Sequence, residues 1–170
     1  MDYIPECYQK STLILGCGNT LFGDDGFGPA VIDYLEKHCR VPKDVSILDV
    51  GTGAREILFT IALAEKKPER IIVIDALDCG KKPGEIFTIP VENLPEKKID
   101  DFSLHQLPTS NLLKELRDLC HVQVILLAAQ PECVPETVKT GLSKKLRDAV
   151  PKVCKYIVKN YFRLQCTSGI

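Results

Sequence analysis

The sequence predicts a three-layer α/β domain, a mostly parallel, twisted sheet with helices on both faces. Two observations carry this. Short apolar runs rich in β-branched residues alternate along the whole chain with longer segments of helical spacing. The short runs are continuously apolar rather than alternating, as in parallel strands buried on both faces. A third observation sets the scale: 170 residues, 45% hydrophobic and 26% charged, match one globular domain with a core that needs no staples. Neither repeats nor linkers divide the chain, so residues 1–170 read as a single domain, with 1–11 and 162–170 expected as flexible ends.

The elements follow in order. Residues 12–15 form a first buried strand, ending in the turn Gly16-Cys17-Gly18-Asn19. A helix over 28–38 puts Val31, Ile32 and Leu35 on one face, and Pro29 suits its first turn. Residues 45–50 make a second strand, broken by Gly51-Thr52-Gly53. Ile57, Leu58, Ile61, Ala62 and Leu63 form the apolar face of the next helix, which Pro68 ends. The run 71–74 is the most β-branched in the chain, and Asp75 closes it. Residues 85–89 follow a turn containing Gly and Pro and suit an antiparallel edge strand. Leu112, Leu113 and Leu116 mark a helix over 104–119. Residues 122–129 form another strand, and 142–161 a last helix that Pro151 should kink or delay.

Charge and composition exclude several functions. Lys and Arg total 22 against 23 Asp and Glu, a net charge of −1, so no basic excess is available to hold nucleic acid. No apolar run approaches the ~18 residues of a membrane span. The start of the chain, with Asp2, Pro5 and Glu6, lacks the basic-then-apolar order of a signal peptide, and a cytoplasmic protein is expected. Eight cysteines are scattered without a C-x-x-C pair, which reads as reduced thiols.

Right-handed crossovers place the carboxyl ends of parallel strands, and the loops leaving them, along one edge. Asp24 and Asp25 lie in the loop after the first strand, Asp49 and Asp75 close the second and third, and His105 stands where a loop enters a helix. Two carboxylates and one imidazole make an open site for a divalent cation such as nickel or zinc. Each also has a plainer role. One of the paired acids, Asp24 or Asp25, is expected to cap the following helix. Asp75 could simply accept backbone N–H bonds, and His105 could be a helix-end histidine. His38 and His121 read as surface residues.

Two glycine patterns compete. Gly16-x-Gly18 follows a strand as a dinucleotide loop does, but Leu21 stands where the third glycine belongs, and two acids sit where pyrophosphate would lie. Asp49-Val50-Gly51-Thr52-Gly53, with Asp75 ending the next strand, resembles the S-adenosylmethionine loop of methyltransferases. That alternative, a small-molecule-binding α/β protein, leaves the whole 16–28 segment unused.

A family resemblance covers most of the chain, from about residue 12 to residue 161. Leu15-Gly16-Cys17-Gly18-Asn19-Thr20-Leu21, running into Gly23-Asp24-Asp25-Gly26-Phe27-Gly28, resembles the opening motif of the hydrogenase maturation proteases. Ile74-Asp75-Ala76 is similar to their second motif and Leu104-His105-Gln106-Leu107 to their third. Ala129-Gln130-Pro131-Glu132 resembles the segment after their last strand. The nearest resemblance is to the proteases serving coenzyme F420-reducing hydrogenases. It implies an endopeptidase that removes a C-terminal extension from the precursor of a nickel-containing hydrogenase large subunit. Two acids and a histidine, here Asp25, Asp75 and His105, would recognise nickel already inserted in that precursor. Gly51, Thr52 and Gly53, on the same edge, offer little bulk against an extended substrate backbone. No Ser or Cys nucleophile with a partner base is apparent. Hydrolysis would therefore use either a metal-activated water or Asp25 or Asp75 as general base.

Overall fold

The computed structural model describes residues 5–93 and 110–162. Five strands form one sheet in the order β2-β1-β3-β5-β4. The strands are β1 (Thr12–Cys17), β2 (Val45–Gly51), β3 (Arg70–Ala76), β4 (Ile86–Ile89) and β5 (Gln123–Ala129). β1, β2, β3 and β5 are parallel, and β4 pairs antiparallel with β5 at one edge, as expected. Every residue of β1 is buried, and so are six of the seven in β3, which accounts for the unbroken apolar runs 13–15 and 71–74.

The helices are α1 (Phe27–His38), α2 (Ala54–Leu63), α3 (Ser110–Asp118) and α4 (Lys144–Tyr161). Side-chain alternation along the strands separates two cores. Ile14, Ile72, Ile74 and Leu127 pack with Val31, Ile32 and Leu35 of α1 and with Leu146, Val153 and Ile157 of α4. On the opposite face Leu13, Leu15, Ile71, Val73 and Leu126 pack with Leu58 and Ile61 of α2 and with Leu113 and Leu116 of α3. A bond from the Cys154 thiol to the Val31 carbonyl, 3.7 Å, ties α4 to α1.

α1 carries the chain from β1 to β2 on one face, and α2 carries it from β2 across β1 to β3 on the other. The winding of the sheet therefore changes side between the parallel neighbours β1 and β3, with β2 added on one side of β1 and β3 on the other. Such a switch point leaves a crevice at the carboxyl edge of the two strands.

One helix start differs from the expected one. α4 starts at Lys144, capped by Ser143, whose hydroxyl accepts from the Leu146 N–H, and runs through Pro151 to Tyr161. α3 is described from Ser110, so the predicted start at 104 lies outside the described residues. A short 3-10 turn, Glu6–Gln9, precedes β1, and Tyr8 packs against the α2-side core. Among the described residues, no helix is long and apolar enough to cross a membrane. Seven cysteines are described and all are free, with Cys17 and Cys154 buried.

Candidate active site

The crevice between β1 and β3 is where the predicted acids meet. The β1–α1 loop turns through Gly18 (φ +127°) and a 3-10 turn, Gly23–Gly26. A Cβ on Gly18 would overlap the carbonyl oxygen of Asp25, and Asp75 Oδ1 lies 3.8 Å from the same point. Only glycine lets the two acidic segments close on one another here. Asp75 belongs to the strand face that carries Val73 and Ile71, so it shares the α2 side of the sheet with Cys17.

The electrostatics follow from this burial. Asp25 and Asp75 are 3% and 5% exposed. An Asp25 carboxylate oxygen accepts the Asn19 N–H at 2.8 Å, while Asp75 Oδ1 accepts the Ala76 N–H at 2.8 Å. Burial pushes the Asp75 pKa well above the usual carboxylate range. The negative charge of Asp25 adds to that, and the Ala76 hydrogen bond opposes it. The Cys17 thiol is likewise pushed well above its ordinary range by burial and by Asp75, Asp49 and Asp25. Cys17 is therefore a neutral thiol packed into the core beneath the acids, not an activated nucleophile. The charge of buried Asp25 disfavours ionisation of buried Asp75, a repulsion that a divalent cation or a shared proton would relieve.

Gly51 joins this site from β2. Its carbonyl accepts the Gly18 N–H at 3.0 Å, its φ is +51°, and a Cβ added there would meet nothing nearer than Gly18 O at 3.9 Å. Thr52 is exposed and Gly53 half-buried, leaving the 51–53 corner open to solvent beside the acids. Asp49 is exposed and accepts the Gly51 N–H at 3.0 Å, so it shapes this corner rather than the crevice. His105 lies outside the described residues. Among those described, no group of three His, Cys, Asp or Glu side chains is arranged to hold a metal ion.

Asp24 corrects the expected helix cap. Neither acid caps α1, whose N-cap is Gly26 with no side-chain bond. Asp24, 1% exposed, instead accepts three backbone N–H groups from a distant loop. They are Glu132 at 2.8 Å and Cys133 at 3.1 Å on one oxygen, and Ser143 at 2.6 Å on the other. It clamps the acidic loop to the start of α4. Gln130 plays a matching part. Its side-chain oxygen accepts from the Cys79 and Lys81 N–H groups, and its nitrogen donates to Asp78, fixing the loop after β3. Sequence reasoning assigned no such role to Gln130. A polar residue directly after a buried strand is the signal that marks it.

Comparison with known proteins agrees with this architecture. Residues 29–160 match the HycI family model, described as hydrogenase maturation protease. A protein of Methanocaldococcus jannaschii named as a hydrogenase maturation protease is 38% identical over 151 residues, 88% of this chain and 96% of that one. The coenzyme F420 hydrogenase subunit delta of Methanothermobacter thermautotrophicus is 32% identical, covering 89% of this chain and 94% of its own. The solved structure of the hydrogenase maturating endopeptidase HybD from E. coli superposes with a TM-score of 0.71 at 27% identity, over 87% of this chain and 90% of that one. The methyltransferase-like alternative for the 49–53 loop gives way to these matches, and the chain belongs to the hydrogenase maturation proteases, a family of peptidases.

Proposed function

We propose that this protein is the endopeptidase that removes a C-terminal extension from the precursor of a nickel-containing, F420-reducing hydrogenase large subunit, and that it acts in the cytoplasm. The observation that carries the reading is the convergence of Asp25 and Asp75 on Gly18 in the crevice between β1 and β3. The likeness to the F420 hydrogenase subunit delta supports the choice of hydrogenase.

In this reading nickel belongs to the substrate. Asp25, Asp75 and His105 take up open positions on an ion that the precursor already holds, so cofactor insertion itself creates the recognition element. The cation also relieves the repulsion between the two buried acids. Docking then becomes intramolecular in effect, and the extension beside the nickel is fixed against the Gly51–Thr52–Gly53 corner. Peptide hydrolysis needs a water deprotonated near the scissile carbonyl and a proton for the leaving amine. Asp25 and Asp75 supply the two carboxylates for that exchange, and the adjacent cation polarises the carbonyl or the water.

The test is a processing assay on matched precursor with and without nickel, read by gel shift and mass spectrometry of the large subunit. Nickel-loaded precursor should be cut at one site, and nickel-free precursor and unfolded casein should remain intact. Equal cleavage of both precursor forms would show that the extension alone is recognised.

A further inference from the structure

We propose that the outer edge of β2 is the docking strand for the substrate's C-terminal extension, which adds to it as a short antiparallel strand. The inference rests on the protease reading and names where the cleaved segment is held.

The two edges of the sheet are built differently. β4 is four residues long and is followed at once by Pro90, the usual way of blunting an edge. β2 is seven residues, Val-Ser-Ile-Leu-Asp-Val-Gly, with neither Lys nor Pro in it. Ser46, Ile47 and Leu48 are half-buried and Asp49 is exposed, and among the described residues no strand lies beyond them. From Val45 to Leu48 this edge carries no blunting feature, the charge of Asp49 and the shift in register coming only at its carboxyl end. Such an edge invites pairing with an extended chain, so its retention calls for a specific occupant.

The hydrogen-bonding groups on that edge can be assigned. The β1–β2 ladder opens with the Thr12 N–H donating to the Asp44 carbonyl at 3.1 Å, and Thr12 is paired with Val45. Alternation along a parallel ladder then directs Ser46 and Leu48 toward β1 and turns the N–H and C=O groups of Ile47 and Asp49 outward. The Val45 N–H is already taken by the Pro42 carbonyl and the Gly51 N–H by the Asp49 carboxylate. What remains is a bounded strip of two donors, the N–H groups of Ile47 and Asp49, and three acceptors, the carbonyls of Val45, Ile47 and Asp49, enough to pair about four residues of extended peptide.

This strip leads into the site. It ends at Gly51, whose carbonyl is bonded to Gly18, and a side chain at Gly18 would run into the Asp25 carbonyl and reach Asp75. Chain direction follows from the reaction. The scissile bond sits at the acids, at the carboxyl edge, and the extension lies downstream of it, so it runs toward the amino edge and hence antiparallel to β2. The β4–β5 pair shows that this sheet already carries an antiparallel strand on its other edge. Main-chain pairing of this kind grips an extension largely independently of its side chains.

The test uses the wild-type enzyme and nickel-loaded precursors in which proline replaces, one at a time, the first residues after the cleavage site. Alternate positions should lose about three- to tenfold in kcat/KM, one hydrogen bond's worth, while alanine at the same positions changes little. Uniform effects, or none, with the unsubstituted precursor still processed, would overturn the docking strand alone. Failure to process any nickel-loaded precursor would overturn the protease reading and this inference with it. In a second arm, Ile47→Pro, which removes one outward N–H, should raise KM relative to Ile47→Ala with kcat little changed. Equal KM in the two variants would also overturn it.

Discussion

Asp75 is the residue at which function and stability pull in opposite directions. Its carboxylate is ionised in the unfolded chain over the ordinary range, whereas in the folded protein burial and Asp25 hold its pKa well above that range. Its contribution to stability is therefore most favourable at acid pH and is lost as pH rises from the ordinary carboxylate range through the raised value. Asp75→Asn keeps the shape and the acceptor for the Ala76 N–H while removing the charge. Thermal unfolding at pH 8 should show a gain of about 1–2 kcal/mol, shrinking toward pH 4, with processing abolished. A variant less stable than wild type at pH 8 would mean that the charge is compensated. Its neighbour Asp24 behaves oppositely. Asp24→Ala leaves three partly buried N–H groups without their buried acceptor and should cost roughly 1–3 kcal/mol in chemical unfolding, whereas an unchanged midpoint would show that water replaces the carboxylate. The difference between the two adjacent acids was not legible in the sequence. Gly-Asp-Asp-Gly shows that one acid serves structure, but the partners of Asp24 lie 108 to 119 residues away, in a loop whose position only the fold fixes.

Strands were more legible than helix ends. Continuous burial makes residues 13–17 of β1 and 71–74 of β3 unbroken runs without a polar side chain, so their sequence cannot be taken for a surface element. Helix ends depend on local capping, which tertiary packing overrides. α4 is the instructive case, because Pro151 suggests a kink or a late start, yet the helix is under way from Lys144 and continues through the proline. Leu146, Ala149, Val150, Val153, Cys154 and Ile157 pack as one stripe on both sides of the proline, and that burial offsets the lost hydrogen bond. Pro151 itself is exposed and belongs to neither core. Pro151→Ala should therefore restore an N–H donor to the helix and stabilise the protein by about 1–3 kcal/mol, seen as a higher melting temperature. A lower melting temperature would show that the proline is fitted to a bend on which the α1–α4 packing depends.

The whole molecule assembles its site by topology. Asp25 and Asp75 are fifty residues apart in sequence, and they meet because β1 and β3 are parallel neighbours where the winding of the sheet changes side. The edge was foreseeable from alternating strands and helices, but the closeness of the two carboxylates was not, since it depends on the Gly18 contact. One consequence concerns free nickel. The unfolded chain holds the two acids too far apart to share an ion, so a cation bound between them binds the folded state in preference and stabilises it. At ten times its dissociation constant the gain is about 1.4 kcal/mol, which for a domain of this size raises the melting temperature by roughly 3–6 °C. The eight thiols complicate the measurement, because cysteines of the unfolded chain also bind nickel and reduce the shift. Asp25→Asn and Asp75→Asn leave every thiol in place, so they separate the two sources. A titration of nickel chloride followed by thermal shift should give a saturable rise in the wild type that both variants lose. The same rise in all three proteins would assign the ion to the thiols or to the surface, and would remove cation binding from the role given to the paired acids.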